Sequence, residues 1–335
     1  MSKVLITGIT GQDGSWLAEK MLAKEYEVHG VVRRASTIST DRVDHIYERI
    51  QLHRGDVTDF HSLAGIVKKV QPNYVYNLAA QSQVRDSFDV PDSTHGITFG
   101  GAANVYEAVR LFAPEAAVYQ ASSSEMFGNE LTCDVSKIKQ SEALKESTAL
   151  APVSPYGIAK TAAHHTAAMY REAYGMDISC GILFNHESER RGETFVTQKI
   201  AKAVAEFVIK RRDVERNPLK LGNLSAARDW GYAPDYMDAA ILMVESGNPS
   251  DYVVATGRSW SVKDFLVKAF KYANVGHWSD YVVVDQRLKR PNELHTLIGD
   301  ASKIKKELKW QPTVKFAKLV EKMVDYQIDQ IYSKR

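Results

Sequence analysis

KVLITGITGQDG, residues 3–14, packs a short apolar run and three glycines into one stretch. The run at 3–7 stops at Gly8, which reads as a buried strand followed by a tight turn. Gly8, Gly11 and Gly14 give the spacing GxxGxxG, and a helix pattern follows with Trp16, Leu17, Met21 and Leu22 on one face. Glycines between a strand and a helix let the backbone approach a pyrophosphate, which then lies on the helix N-terminus. A triplet alone is a weak signal and fits a structural turn. Strand–loop–helix context is what the dinucleotide fingerprint requires.

Further strands are expected at 27–33 (EVHGVVR), 50–53, 74–78 (YVYNL), 117–121 and 178–184. Helices are expected at 62–70, 102–112 and 156–174. Leu63, Ile66, Val67 and Val70 stand at i, i+3, i+4 and i+7, one helical face. Alternation at this rhythm predicts an α/β fold, a doubly wound parallel Rossmann sheet. The pattern loosens after Asn185, where helices at 196–211, 235–246, 262–273 and 315–331 flank short strands at 252–255 and 281–284. This half reads as a smaller, interleaved C-terminal substrate domain. Residues 1–184, with about 222–250, form the expected Rossmann domain; 185–221 and 251–335 form the other. Segments 34–44 and 129–150 read as loops.

Forty-three Lys and Arg against 41 Asp and Glu leave a formal net charge of +2. That balance argues against a nucleic-acid partner, and 44% hydrophobic residues exclude a disordered chain. Two cysteines, Cys133 and Cys180, make neither a disulfide framework nor a four-ligand zinc site, and no metal is expected. No apolar run is long enough to span a bilayer, and the N-terminus turns polar too soon for a secretory leader. The expectation is a cytoplasmic protein with no membrane partner.

Several residues carry chemistry. The second strand ends in Arg33 and Arg34, where a site for NAD would place Asp or Glu; a guanidinium suits a 2′-phosphate, so NADP is the expected cofactor. Asp56, after the third strand, is a candidate for the adenine amino group. Tyr156 and Lys160 stand at i and i+4 on one helix face. An ammonium there would help a phenolate form and take a proton from a sugar hydroxyl. The fifth strand leads into Ala121-Ser122-Ser123-Ser124-Glu125. Simple hydride transfer needs no carboxylate at this point, whereas elimination of water needs one group to take a carbon-bound proton and protonate the leaving hydroxyl. Glu125 can do both. A helix cap or ion-pair partner is the bland alternative.

ITGITGQDGSWLAE, NLAAQSQV, YQASSSEMFG, SPYGIAK, NHESERRGETFVTQKI, LGNLSAARDWGYAPDY, RPNE and LIGDASKIKKELKWQP carry a resemblance across nearly the whole chain. They resemble the extended short-chain dehydrogenase/reductases that modify nucleotide sugars, and most closely the GDP-mannose 4,6-dehydratases. The resemblance implies that Ser123 orients the 4-hydroxyl, Glu125 is the acid/base at C5 and C6, Tyr156 is the base at O4, and Lys160 binds the nicotinamide ribose. It implies cofactor contacts at Gly8, Thr10, Gly11, Gln12, Asp13, Gly14, Arg33, Asp56, Val57, Leu78, Ala80, His186 and Arg190. It implies GDP-sugar contacts at Ser82, Asn185, Val196, Lys199, Leu221, Gly222, Asn223, Arg228, Arg290 and Glu293. Lys199, Arg228 and Arg290 are cations suited to a diphosphate. The implied reaction moves hydride from C4 to NADP and back to C6, giving a GDP-4-keto-6-deoxy sugar and water.

The chain departs from the family at several places. Serine replaces threonine at 123, residues 131–147 look like an insertion, and 92–104 and the His164-His165 pair differ from the usual pattern. Alternatives are dehydration of a GDP-manno-heptose, a related GDP-sugar reductase or epimerase, and a catalytically dead NADP sensor. A homodimer through helices 102–112 and 156–174, or a homotetramer through the basic loop near 33–39, is the expected assembly.

Overall fold

The computed structural model describes residues 1–33, 39–129, 143–210, 213–214, 216–288 and 296–333. Arg34, Cys133, Arg290, Glu293 and most of the expected insertion lie outside the described residues. The first half alternates β1 (Lys3–Thr7), α1 (Gln12–Ala23), β2 (Glu27–Val32), β3 (Ile50–Arg54), α2 (Phe60–Val70) and β4 (Tyr74–Asn77). Short helices α3 (Val84–Ser87) and α4 (Pro91–His95) precede α5 (Gly101–Phe112), β5 (Ala117–Ser123), α6 (Pro155–Tyr174) and β6 (Ile178–Leu183). The second half holds β7 (Asn185–Glu187), α7 (Val196–Lys210), β8 (Leu219–Leu221), β9 (Ala227–Tyr232), α8 (Ala233–Glu245) and β10 (Asp251–Val254). It ends with β11 (Ser259–Ser261), α9 (Val262–Tyr272), β12 (Val282–Val284), β13 (Thr296–Leu297), α10 (Ser302–Leu308) and α11 (Phe316–Tyr332).

Seven parallel strands form the main sheet in the order β10-β6-β5-β4-β1-β2-β3. Read from β3, this is the doubly wound order 3-2-1-4-5-6 with β10 added, and its reversal falls between β1 and β4. Successive side chains of a strand face opposite sides. Val4 and Ile6 therefore join Leu17 and Met21 of α1 and Met237 and Met243 of α8 in one core. Leu5 joins Leu63, Val67, Tyr106 and Val109 of α2 and α5 in the other. Both faces are covered, which is why these strands read as near-continuous apolar runs.

The second half has its own core. β9 pairs antiparallel with β11 and parallel with both β7 and β13, while β8 pairs with β12. Phe316 of α11 is stacked between two indoles, 6.0 Å from Trp230 and 4.6 Å from Trp260. It ties the last helix to the small sheet. The expected helices and strands of this half are present, while β7, β8, β9, β11, β13 and α10 are additions. Among the described residues, no helix is long and apolar enough to cross a membrane.

Phe316→Ala opens a hole between two aromatic planes. It should destabilise the protein by about 3–5 kcal/mol, the range for buried Phe→Ala. Urea unfolding measures this, and a loss under about 1 kcal/mol would mean that the stack does not tie α11 down.

Candidate active site

The glycine loop folds as its residue types require. Gly11 N–H donates to Gly8 O at 2.9 Å, and α1 begins at Gln12 with its N-terminus at the switch point of the sheet. A Cβ on Gly14 would lie 2.3 Å from Gly8 O and 2.6 Å from Ile9 Cα, so only glycine lets α1 press on the loop this closely. Asp13, in the first turn, is 2.9 Å from Nε2 of His186 on β7. Gln12 joins them, donating to Asp13 Oδ1 at 3.0 Å and to His186 O at 3.2 Å. Burial pushes the Asp13 carboxyl up, but His186 and the hydrogen bonds outweigh it and hold it at about 2. Burial pushes His186 down, and Asp13 outweighs that, so its net shift is upward.

Helix α6 starts on the sequence signals that mark a helix N-terminus. Ser154 Oγ accepts from Gly157 N at 3.0 Å, and Pro155 fills the first turn, where a missing N–H costs nothing. A Cβ on Gly157 would lie 2.8 Å from Glu125 O. The bare glycine brings this turn against the turn that carries Glu125. Lys160 donates through Nζ to Ala121 O at 2.7 Å, and the ammonium lies 5.8 Å from the Tyr156 ring centre. Ser123, Glu125, Tyr156 and Lys160 are all at least nine-tenths buried. Burial pushes the Tyr156 phenol up to about 12; a hydrogen bond with Ser123 pulls it down and the charge of Glu125 pushes it up. Burial brings Lys160 down to about 8.

All of these groups open on one cavity of about 1140 Å³. Pockets for a single drug-sized ligand run to about 300–1,000 Å³. The wall includes Gly8, Thr10, Gly11, Gln12, Asp13, Gly14, Arg33, Val57, Leu78, Ala80 and His186 from the expected cofactor set. It includes Ser82, Asn185, Val196, Lys199, Leu221, Gly222, Asn223 and Arg228 from the expected sugar-nucleotide set. The four expected catalytic residues line the same cavity.

The family described as GDP-mannose 4,6 dehydratase matches residues 5–323. The chain belongs to the GDP-mannose 4,6-dehydratase family. That family is a family of enzymes, hydro-lyases. Similar proteins include GDP-mannose 4,6 dehydratase 2 of Arabidopsis thaliana, 47% identical over 97% of this chain and 86% of that one. GDP-mannose 4,6 dehydratase of Homo sapiens is 42% identical over 97% and 91%. GDP-mannose 4,6-dehydratase of Vibrio cholerae is 42% identical over 96% and 92%. Among solved structures, UDP-glucose 4-epimerase of Thermotoga maritima superposes with a TM-score of 0.84 at 20% identity, over 98% of this chain and 99% of that one. The dTDP-glucose 4,6-dehydratase of Bacillus anthracis gives 0.81 at 19% identity, over 100% and 97%. At such identities the shared property is the fold.

In this family member two expected contact residues stay out of the cavity wall. Asp56 turns onto its own loop, accepting from Thr58 N and Thr58 Oγ1 at 2.9 and 2.8 Å. Arg190 lies over the Trp16 ring at 3.7 Å, donates to Ser15 Oγ and pairs with Glu19. Its neighbour Arg191 is in the wall instead, stacked on Phe195 at 3.7 Å and paired with the buried Glu187 at 3.0 Å. Arg42 is also in the wall and donates to Arg190 O at 2.8 Å. Sequence reading missed both. Adjacent arginines cannot be told apart without the strand that aims them, and Arg42 sits in a segment without periodicity.

The Asp13–His186 bond has a definite pH signature. A raised His186 pKa means that its contribution to stability is complete below the ordinary 6.5 and is lost as pH rises through the raised value. Asp13 contributes above 3.8, and that part is lost as pH falls toward about 2. The thermal midpoint should fall more steeply in the parent than in His186→Gln as pH is raised from about 6 to about 9. Parallel curves would show that the bond adds no stability.

Proposed function

We propose that this chain removes water from GDP-mannose to give GDP-4-keto-6-deoxymannose, with NADP as its cofactor. The observation that carries the reading is a carboxylate, Glu125, in the same buried wall as the Tyr156–Lys160 pair and Ser123. A nicotinamide dinucleotide bound along residues 8–14 would supply a hydride acceptor for C4 and a hydride donor for C6.

The protein's own groups do the proton work. Tyr156 takes the O4 proton while Ser123 holds that oxygen in place. A phenol pushed up to about 12 by burial stays protonated at neutral pH, so a positive charge must lie beside it for the phenolate to form. Lys160 is placed to provide part of that charge. The resulting 4-ketone acidifies the C5–H bond. Glu125 takes the C5 proton and returns a proton to the C6 hydroxyl as it leaves as water. One carboxylate closes the proton cycle, and the redox change at C4 is reversed at C6.

Charge supports the choice of ligands. The residue after β2 is Arg33, and Arg42, which donates to Thr10 O of the glycine loop, also lines the wall, so a 2′-phosphate finds a cation where NAD sites offer a carboxylate. Arg191 replaces Arg190 as the proposed phosphate-facing arginine. Lys199 and Arg228 are the cations proposed for the diphosphate of the sugar nucleotide, and Asn185 and Asn223 line the same wall. The main-sheet residues, 1–184 with the segment running through α8, would hold the cofactor, and the remaining C-terminal residues would hold the sugar nucleotide. Leu111 of α5 and Ile158 and Met169 of α6 are exposed apolar side chains on neighbouring helices. They support a homodimer through this face, within a cytoplasmic enzyme.

Glu125→Gln should lower turnover of GDP-mannose by about 10²–10⁴-fold, the range for an acid/base group. GDP-mannose binding should stay near the parent's. Mass spectrometry of the product reads the loss of water directly. Turnover within a few-fold of the parent would remove Glu125 from the proton cycle.

A further inference from the structure

Behind the catalytic wall lies a partly buried cluster that the mechanism does not use. His164 is one helical turn beyond Lys160 on α6, and it is 7% exposed. Its Nδ1 lies 3.0 Å from Ser122 Oγ on β5, and its Nε2 lies 3.7 Å from Asp251 Oδ2 on β10. Arg171, farther along α6, grips both oxygens of Asp251 at 3.0 and 3.2 Å and donates to Ile178 O at 2.9 Å. Cys180 of β6 stands beside Asp251 in the strand register and is fully buried.

The donor atoms of His164, Cys180 and Asp251 lie within 4.8 Å of one another, a spacing that invites a metal reading. Charge argues against it. The Arg171 fork already neutralises Asp251, and a cation would sit against a guanidinium. Burial pushes the Cys180 thiol well above its ordinary range and so keeps it protonated. Burial likewise pushes His164 down, which keeps the imidazole neutral. With Nε2 turned to a carboxylate, that nitrogen carries the proton and Nδ1 accepts from the Ser122 hydroxyl. The cluster is a neutral hydrogen-bonded tie closed by one ion pair.

Its place in the fold gives it a use. Three successive turns of α6 each meet one residue at the end of β5. Tyr156 meets Ser123, Lys160 meets the Ala121 carbonyl, and His164 meets Ser122. Two of these contacts belong to the reacting groups. Only the third is free to act as a fixed anchor. We propose that His164 is a positioning residue for the Tyr156–Lys160 pair: its bond to Ser122, backed by Asp251 and Arg171, fixes the rotation of α6 against β5 and so sets Lys160 dry and close to Tyr156. The kinetic arm of this proposal rests on the dehydratase reading above.

The test compares His164→Phe, which keeps the ring volume, with His164→Asn, whose amide replaces Nδ1, and with Ser122→Ala. It reads kcat and KM on GDP-mannose. It also reads the titration of the Lys160 ammonium in unliganded protein, by NMR of labelled lysine side chains, with Lys160→Arg assigning the signal. The other ionisable groups near that ammonium are Tyr156 on α6 and Asp13 on α1. His164→Phe and Ser122→Ala should each lower kcat about tenfold with KM within about twofold, and raise the Lys160 pKa from about 8 by about one unit as water reaches it. His164→Asn should restore both. Ser122→Ala removes one oxygen, so it answers even where the Phe variant does not fold. An unmoved Lys160 titration in Ser122→Ala overturns the proposal. So does one equivalent of zinc that stays with the purified protein through dialysis against a chelator. A parent that releases no water from GDP-mannose fails the dehydratase reading, and the Lys160 titration still decides this one.

Discussion

Two contacts without side chains control the geometry of the cavity. At Gly14, α1 meets the loop after β1 at a distance that no Cβ could occupy. At Gly157, α6 meets the backbone of Glu125 in the same way. The first contact puts a helix N-terminus at the crevice where the strand order reverses. The second puts Tyr156 and Lys160 against the strand end that carries Ser123 and Glu125. A methyl group at either place would push a whole helix away, and a displacement of that kind at the proposed catalytic pair would be felt strongly in rate.

The first half of the fold was legible because parallel strands covered on both faces must be apolar, and amphipathic helices must repeat near 3.6 residues. Every expected strand from residue 3 to 184 is present within a few residues. The small sheet was not legible. Its central strand, β9, is fully buried yet reads Ala-Arg-Asp-Trp-Gly-Tyr. Asp229 survives there because it accepts from Thr256 N, Thr256 Oγ1, Gly257 N and Gly299 N. Burial still pushes its carboxyl up to about 6. No periodicity marks such a strand, because hydrogen bonds to residues distant in sequence replace the apolar pattern. The same gap explains Arg190 and Arg191. The motif was visible in sequence, but the chain direction after β7 decides which guanidinium faces the cavity.

The near-zero net charge conceals a sorted distribution. Arg33, Arg42, Arg191, Lys199 and Arg228 come from widely separated parts of the chain and line one cavity. Asp13, which would repel an anion at the α1 N-terminus, is held by His186. The wall therefore offers cations to phosphate groups, and Glu125 lines the same wall. Such a plan suits two diphosphate-bearing molecules laid toward each other with their reacting rings between them.

Internal redox is the central claim, and isotope position tests it most directly. GDP-mannose carrying deuterium at C4 is converted in the presence of unlabelled NADP, and the product is read by NMR and mass spectrometry. The account predicts a product lighter by one water, with the deuterium now on C6. Label found in free reduced cofactor, or lost to solvent, would contradict it.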